Sequence, residues 1–305
     1  MSPAPLSGFD PPLAAVRPVV SAALAEDLLP MGDITASLVP ARVEATAVFV
    51  ARQRGVLAGT LCVEETFAQL AGPPLGPSSS GAVSAGPSVH LDWTCGDGAR
   101  LEPGCVIGTV TGPLALILTA ERTALNLLSH LSGVASATRL LVDAVEAAAP
   151  RCRIRDTRKT TPGLRALEKA AVRAGGGFNH RANLSEAILV KDNHLGGLSI
   201  TEAVATARAH WPGRHVEVEC DRFDQLDEAL AAGADMVMLD NMDPVQVADA
   251  VEHVRSRSAS TPVEVSGRIN LETAAAYARA GVDFISVGAI THSAPVLDIG
   301  LDLAG

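Results

Sequence analysis

The sequence predicts an α/β chain whose second half is a parallel β/α sheet, closed into a barrel in preference to an open doubly wound layer. Three observations carry this. Six short β-rich runs recur from residue 152 onward with helical segments between them, which is the spacing of βα units. No Gly-x-Gly-x-x-Gly follows any of these runs, so the usual dinucleotide-binding form of the open sheet is removed. Nearly every run also ends in a residue able to do chemistry. The carboxyl ends of barrel strands converge on one face, and active sites sit there.

The elements follow in order. After a Pro-rich start, residues 43–59 alternate enough to be a strand and turn, and 61–71 have helical spacing. Residues 72–87, rich in Gly, Pro and Ser, read as a low-complexity loop. Residues 89–119 read as short strands joined at Gly-Asp-Gly and Pro-Gly turns. That pattern looks like half of a lipoyl- or biotin-carrier sandwich, which needs a lysine at a hairpin tip. No lysine precedes Lys159, so a swinging-arm domain is excluded. Residues 120–149 read as two helical runs broken near Gly133. The six β-rich runs are 152–157, 187–193, 215–220, 235–241, 262–267 and 284–288, with helical segments at 199–211, 223–233, 244–256 and 270–281.

Bulk properties narrow the class. A chain of 305 residues with 48% hydrophobic content can bury a large core. Its net charge of −10 argues against nonspecific binding to nucleic acid or an anionic membrane. No apolar run approaches the roughly 18 residues of a membrane helix. Cys62, Cys95, Cys105, Cys152 and Cys220 are scattered and lack Cys-x-x-Cys spacing. They read as reduced thiols in a cytoplasmic setting. Against this acidic background, residues 151–192 hold ten of the 24 Lys and Arg against four acids, and all three lysines of the chain.

The strand ends supply two kinds of group. Arg158, Lys159, Arg181 and Lys191 offer guanidinium forks and ammonium points for carboxylates and phosphates. Glu219 and Asp240 are hard oxygen donors suited to Mg²⁺ that itself holds a phosphate. Ser266-Gly267 and residues 286–293 place small residues where backbone N–H groups could face a phosphate. Together they suggest an anionic small molecule beside a metal-bound phosphosugar. Other charges read as structural. Arg165, Lys169 and Arg173 recur as one helical stripe and are expected to be solvated. Gly175-Gly176-Gly177 reads as a helix stop. Glu64, Glu65 and Glu217 are expected to face solvent, and His90, His130, His210, His215 and His253 show no ligand-like spacing. His194, taken alone, fits a structural hydrogen-bonder.

Residues 156–194, "DTRKTTPGLRALEKAAVRAGGGFNHRANLSEAILVKDNH", resemble the signature of the quinolinate phosphoribosyltransferase family, also called carboxylating nicotinate-nucleotide pyrophosphorylases. Agreement continues through "ERTALNLLSHLSG" (121–133), "VEVEC", "MLDNM" and residues 281–303, and covers most of 25–305. The resemblance implies an N-terminal α/β sandwich over 1–132, to which a tail at 293–305 returns. It implies an open TIM-like β/α barrel of six or seven strands over 133–292. It also implies conversion of quinolinate and phosphoribosyl pyrophosphate to nicotinate mononucleotide, pyrophosphate and CO₂, with Mg²⁺. By matched position, Arg158, His180, Arg181 and Lys191 would grip the quinolinate carboxylates, with Thr157, Asp192 and His194 at the same edge. Lys159 would meet the phosphoribosyl pyrophosphate, and Glu219 and Asp240 would hold ribose hydroxyls and metal. Ser266, Gly267 and Arg268, with Val287, Gly288 and Ala289, would seat a phosphate. Arg122 would reach into a neighbouring subunit, which implies a homodimer.

Two departures stand out. Ala170 stands where the family commonly has tyrosine, and Arg268 where Gly or Asn commonly follows Ser-Gly. A related phosphoribosyltransferase-like protein of molybdenum-transport loci and a non-catalytic sensor of pyridine acids or phosphosugars are the alternatives. Arg122, Arg158, His180, Arg181 and Lys191 together favour quinolinate over the first. Glu219 and Asp240 together argue against the second. A phosphate-binding barrel enzyme of indole synthesis fits poorly, because an N-terminal sandwich does not suit it.

Overall fold

The computed structural model describes residues 8–72 and 88–304. Apart from Gly72, the low-complexity segment expected at 72–87 lies outside them. The first part of the chain runs α1 (Leu13–Leu28), a short 3-10 turn (Ala36–Leu38), β1 (Glu44–Ala51), β2 (Gly55–Val56), α2 (Thr60–Ala71), β3 (His90–Trp93), β4 (Arg100–Leu101), β5 (Val106–Pro113) and α3 (Leu114–Ala148). Alternation follows: β6 (Arg153–Arg155), α4 (Arg165–Ala174), β7 (Ile188–Val190), α5 (Asp192–Leu195), α6 (Ile200–His210), β8 (Val216–Cys220) and α7 (Phe223–Ala231). Next come β9 (Met236–Asp240), α8 (Pro244–Arg257), β10 (Val263–Ser266), α9 (Leu271–Arg279), β11 (Phe284–Ser286), α10 (Ala289–His292) and β12 (Ile299–Leu303).

Two compact units result. The first takes residues up to 137, 161–175 and 294 onward. Its sheet has the order β12-β1-β5-β3. Along β1 the side chains of Ala47, Phe49 and Ala51 turn inward at period two. Phe49 and Ile107 join Phe67 of α2 and Ile117 and Leu128 of α3 in one buried cluster, giving an α/β sandwich. Strand β12 pairs antiparallel with β1, Leu301 opposite Phe49.

Several expectations change here. The Pro-rich start contains a 16-residue helix, α1, with Pro18 inside it. Residues 114–119 are not strand, and there is no break at Gly133: α3 is one helix of 35 residues. Gly133 serves close packing instead. A Cβ there would lie 2.1 Å from the Pro295 carbonyl oxygen, so only glycine lets the segment entering β12 approach the helix.

The Arg165, Lys169 and Arg173 stripe is not solvated either. Seven of the ten α4 residues are buried, Lys169 among them, and Arg173 Nη2 donates to the Phe9 carbonyl at 2.9 Å. Inside this helix Glu168 is fully buried. It meets His130 Nε2 at 2.9 Å and accepts from the Thr161 N–H at 3.1 Å. Glu65 is also buried rather than solvent-facing, with Arg17 Nε 3.6 Å away.

The second unit takes residues 138–160 and 176–293. Its six strands lie in the order β6-β11-β10-β9-β8-β7, and every pairing among them is parallel. Helices cross between successive strands, so this is the TIM-like arrangement with β6 and β7 as its two edges. Phe178 adds a single parallel bridge to Arg155 on β6. Short polar residues switch strand to helix. Ser199 and Glu202 form a capping box on α6, Asp243 caps α8 ahead of Pro244, and Asn270 caps α9. Strands buried on both faces read as near-continuous apolar runs, and Val218, Val237, Leu239, Val265 and Ile285 are fully buried. Glu217, expected at the surface, is only 3% exposed within that core.

Candidate active site

The carboxyl ends of the second unit's strands open onto a cavity of about 530 Å³. Its wall carries Thr157, Arg158 and Lys159 after β6, His180 and Arg181, and Lys191 after β7. Asp240 of β9 and Ser266, Gly267 and Arg268 at the end of β10 complete the polar lining expected from sequence. Leu189, Met238, Asn241 and Ser286 line it as well. Asn241 and Ser286 sit at strand ends already singled out as chemical. Leu189 and Met238 are apolar strand residues with no signal to separate them from core.

Cations dominate one side. Arg181 Nη1 donates to the Ala187 carbonyl at 2.9 Å. Burial pushes the Arg181 guanidinium pKa down, the Arg158 charge adds to that, and Glu217 opposes it. Two guanidinium groups held against like charge and partly desolvated are poised for an anion. Lys191 Nζ donates to Glu219 Oε2, which places Glu219 one contact behind the cavity wall. Asp240 is pushed above the usual carboxylate range, chiefly by burial; Lys191 and Lys159 oppose this, while Asp221 and Asp192 add to it. Its Oδ2 accepts from Asn241 Nδ2 at 2.5 Å.

Beneath the cavity lies a buried cluster that sequence reasoning missed. His180 Nε2 is 3.0 Å from Glu217 Oε2 and 3.6 Å from Glu264 Oε1. Arg155 Nη1 donates to Glu264 Oε2 at 2.6 Å, and Ser286 Oγ to Glu264 Oε1 at 2.5 Å. Burial pushes the Glu264 carboxyl up, and Glu217 adds to it. The Arg181 N–H donates to His180 Nδ1 at 2.7 Å, so in the neutral ring the proton sits on Nε2 and faces the two carboxylates. A nitrogen carrying that proton has no lone pair for a metal. The cluster is therefore a charged support beneath the cavity, tied together by the hydrogen bonds of Arg155 and Ser286 to Glu264, rather than a metal centre. His180 lines the cavity with Arg158, Lys159, Arg181, Lys191 and Arg268.

The remaining expected residues fall around this cavity or away from it. Gly288 lies at its rim, where a Cβ would sit 3.1 Å from Lys159 Cδ and 3.3 Å from Thr157 Oγ1. Val287 is buried behind it, its N–H donating to the Arg155 carbonyl at 3.0 Å, and Ala289 opens the short α10. Asp192 and His194 belong to α5; the Lys191 N–H donates to His194 Nδ1 at 3.1 Å. His194 lines a different cavity of about 380 Å³ with Leu198 and Trp211. Arg122 lies in the first unit, on a cavity of about 490 Å³ with Asn126 and Asp298.

Comparison with known proteins agrees with this geometry. Residues 33–132 match the model described as quinolinate phosphoribosyl transferase, N-terminal domain. Residues 134–302 match the corresponding C-terminal domain. The chain is 42% identical to the nicotinate-nucleotide pyrophosphorylase [carboxylating] of Mycobacterium leprae, over 95% of this chain and 97% of that protein. It is 40% identical to a probable enzyme of the same name from Bacillus subtilis, over 89% of this chain and 88% of that one. Among solved structures, the nicotinate-nucleotide pyrophosphorylase of Francisella tularensis superposes with a TM-score of 0.86 at 37% identity, covering 97% of this chain and 98% of that chain. With both halves matched and the strand-end cavity in place, the chain belongs to the quinolinate phosphoribosyltransferase family.

Proposed function

We propose that the chain transfers a phosphoribosyl group from phosphoribosyl pyrophosphate to quinolinate, releasing pyrophosphate and CO₂ and leaving nicotinate mononucleotide for NAD biosynthesis. The observation that carries this is the convergence of Arg158, Lys159, Arg181, Lys191 and Asp240 on one cavity. It offers cations for a doubly anionic aromatic acid and a carboxylate for a sugar. Arg158, His180, Arg181 and Lys191 meet the two carboxylates of quinolinate. The pyridine nitrogen attacks C1′ of the ribose as the bond to pyrophosphate breaks. Glu219 and Asp240 stabilise the cationic character that develops on the sugar, and Lys159 stabilises the departing anion. The alkylated ring nitrogen then accepts the electron pair that stays behind when the neighbouring carboxylate leaves as CO₂. A proton on that carbon completes the product. Holding two anionic substrates in register is most of the catalysis.

The donor set suits magnesium. Glu219 and Asp240 are hard oxygen donors on neighbouring parallel strands, and Asp240 is a partly buried carboxylate whose ionised form a cation would favour. When bound, the ion neutralises pyrophosphate oxygens. The enzyme is taken to act in the cytoplasm as a homodimer with Arg122 given across the interface. Its five cysteines are free, and among the described residues no helix is long and apolar enough to cross a membrane.

The test is turnover of quinolinate, nicotinate and nicotinamide, each with phosphoribosyl pyrophosphate and Mg²⁺. Quinolinate is expected to be consumed with stoichiometric CO₂ release. Preference for nicotinate, or binding without turnover, overturns the assignment.

A further inference from the structure

The reaction proposed above makes two opposed demands on the cavity. Holding quinolinate calls for positive charge. Losing CO₂ from the alkylated ring removes a negative group, and every cation that grips a carboxylate resists that step. Arg158, Lys159, Arg181, Lys191 and Arg268 line the cavity, with Asp240 as the carboxylate among the described lining residues. Such a wall binds the acid well and decarboxylates it poorly unless something offsets its field.

The offset lies in the sheet itself. Paired residues of a parallel ladder put their side chains on the same face. Glu217 pairs with Leu189, and Glu264 with Met238; both Leu189 and Met238 line the cavity. The two carboxylates therefore lie on the cavity side of their strands, and they are compensated unequally. Glu264 accepts from Arg155 Nη1 at 2.6 Å and from Ser286 Oγ at 2.5 Å. Glu217 Oε2 lies 3.0 Å from His180 Nε2, while its Oε1 accepts no hydrogen bond among the described residues. His180 Nδ1 accepts the Arg181 N–H, so the ring takes no second proton to balance Glu217. One guanidinium thus faces two carboxylates, and the charge left over belongs to Glu217. Arg181 feels it, since Glu217 acts to hold the guanidinium pKa up. A buried acid without a matching cation is costly, and such costs are kept where function uses them.

We propose that Glu217 is a positioning residue for decarboxylation: acting through His180 and Arg181, it weakens their hold on the substrate carboxylates and so favours the ring that has lost one. This rests on the proposed function. In that step the bond from C2 of the pyridine to the leaving carboxyl carbon breaks. Its electron pair stays on C2 beside the cationic nitrogen, CO₂ departs uncharged, and C2 then takes a proton from water. The pyridine moiety sheds its net negative charge, and a negative group beneath the wall favours that change.

The experiment compares wild type with Glu217→Gln, Glu217→Asp and Glu264→Gln. Glutamine keeps the shape and removes the charge; aspartate keeps the charge. Calorimetry with quinolinate alone is expected to show Glu217→Gln binding about tenfold more tightly, the size set by one nearby, partly screened charge. In a rapid-quench single turnover with phosphoribosyl pyrophosphate and Mg²⁺, pyrophosphate should appear within about twofold of the wild-type rate. CO₂ should trail it by about tenfold, with the dicarboxylated mononucleotide accumulating between them. Glu217→Asp should restore both behaviours. Glu264→Gln removes the same charge from the other side of His180, shifts both readouts in the same direction, and carries the test if Glu217→Gln does not fold. Unchanged or weaker quinolinate binding in a folded glutamine variant overturns the proposal. So does slowing of pyrophosphate and CO₂ in step, which is what a packing role gives. If wild type itself turns over no quinolinate, the proposed function falls and this inference with it; if wild type releases CO₂ and the variants behave like it, only the inference falls.

Discussion

Glu217 and Glu264 sit inside a parallel sheet, where an isolated carboxylate is expensive. They are kept there by Arg155, Ser286 and His180, and Glu217 in turn places negative charge near Arg181. That support was invisible in "VEVEC" and "VEVS". An alternating strand with glutamate at every second position reads as half solvated, whereas both faces of these strands are covered. The residues at the strand ends were legible because their chemistry does not depend on which face is buried. From them follows one expectation. Arg158→Ala and Lys191→Ala should each raise the quinolinate KM by roughly ten- to a hundredfold, the effect of losing a charge-assisted hydrogen bond of about 1.5–3 kcal/mol. Steady-state kinetics at saturating phosphoribosyl pyrophosphate measures this. An unchanged KM in both variants removes them from the carboxylate pocket.

Helices and strands were legible to different degrees. All six strands of the second unit lie within the expected runs, because apolar stretches bounded by turn residues and capped by Ser199, Asp243 and Asn270 leave little ambiguity. Helix α3 was misread because an interior glycine usually weakens a helix by about 1 kcal/mol relative to alanine, and Gly133 looked like a stop. Its true reason is a neighbour 162 positions further along the chain, which no local pattern encodes: the carbonyl of Pro295. Gly133→Ala should therefore destabilise the protein despite the gain in helix propensity, by about 1–3 kcal/mol, the usual range for overpacking. Urea denaturation followed by circular dichroism checks this, and a higher midpoint would mean that the contact yields freely.

At the scale of the whole molecule, the cation-rich stretch at 151–192 proves to be two things. Arg158, Lys159, Arg181 and Lys191 gather at the cavity of the second unit. Arg165, Lys169 and Arg173 lie on α4, which belongs to the first. Charge counting along the sequence finds the stretch but cannot divide it, since the division depends on where α4 packs. Arg122, also in the first unit, carries the proposal of a shared site. Mixing Arg122→Ala with Asp240→Asn subunits should restore activity that neither variant shows alone, because one site of each mixed dimer would then be intact. Activity that remains at the level of the separate variants counts against a shared site.

The pairing of β12 with β1 has a bearing on the order in which the chain takes shape. By the time a ribosome has made Ser286, every strand of the second unit exists, yet β1, paired on one side with β5, still lacks β12 on its other side until residues such as Leu301, opposite Phe49, have been added. Strand β1 must wait for a strand made much later, exposing an open edge in the meantime, so the nascent chain is most vulnerable to clumping during that interval.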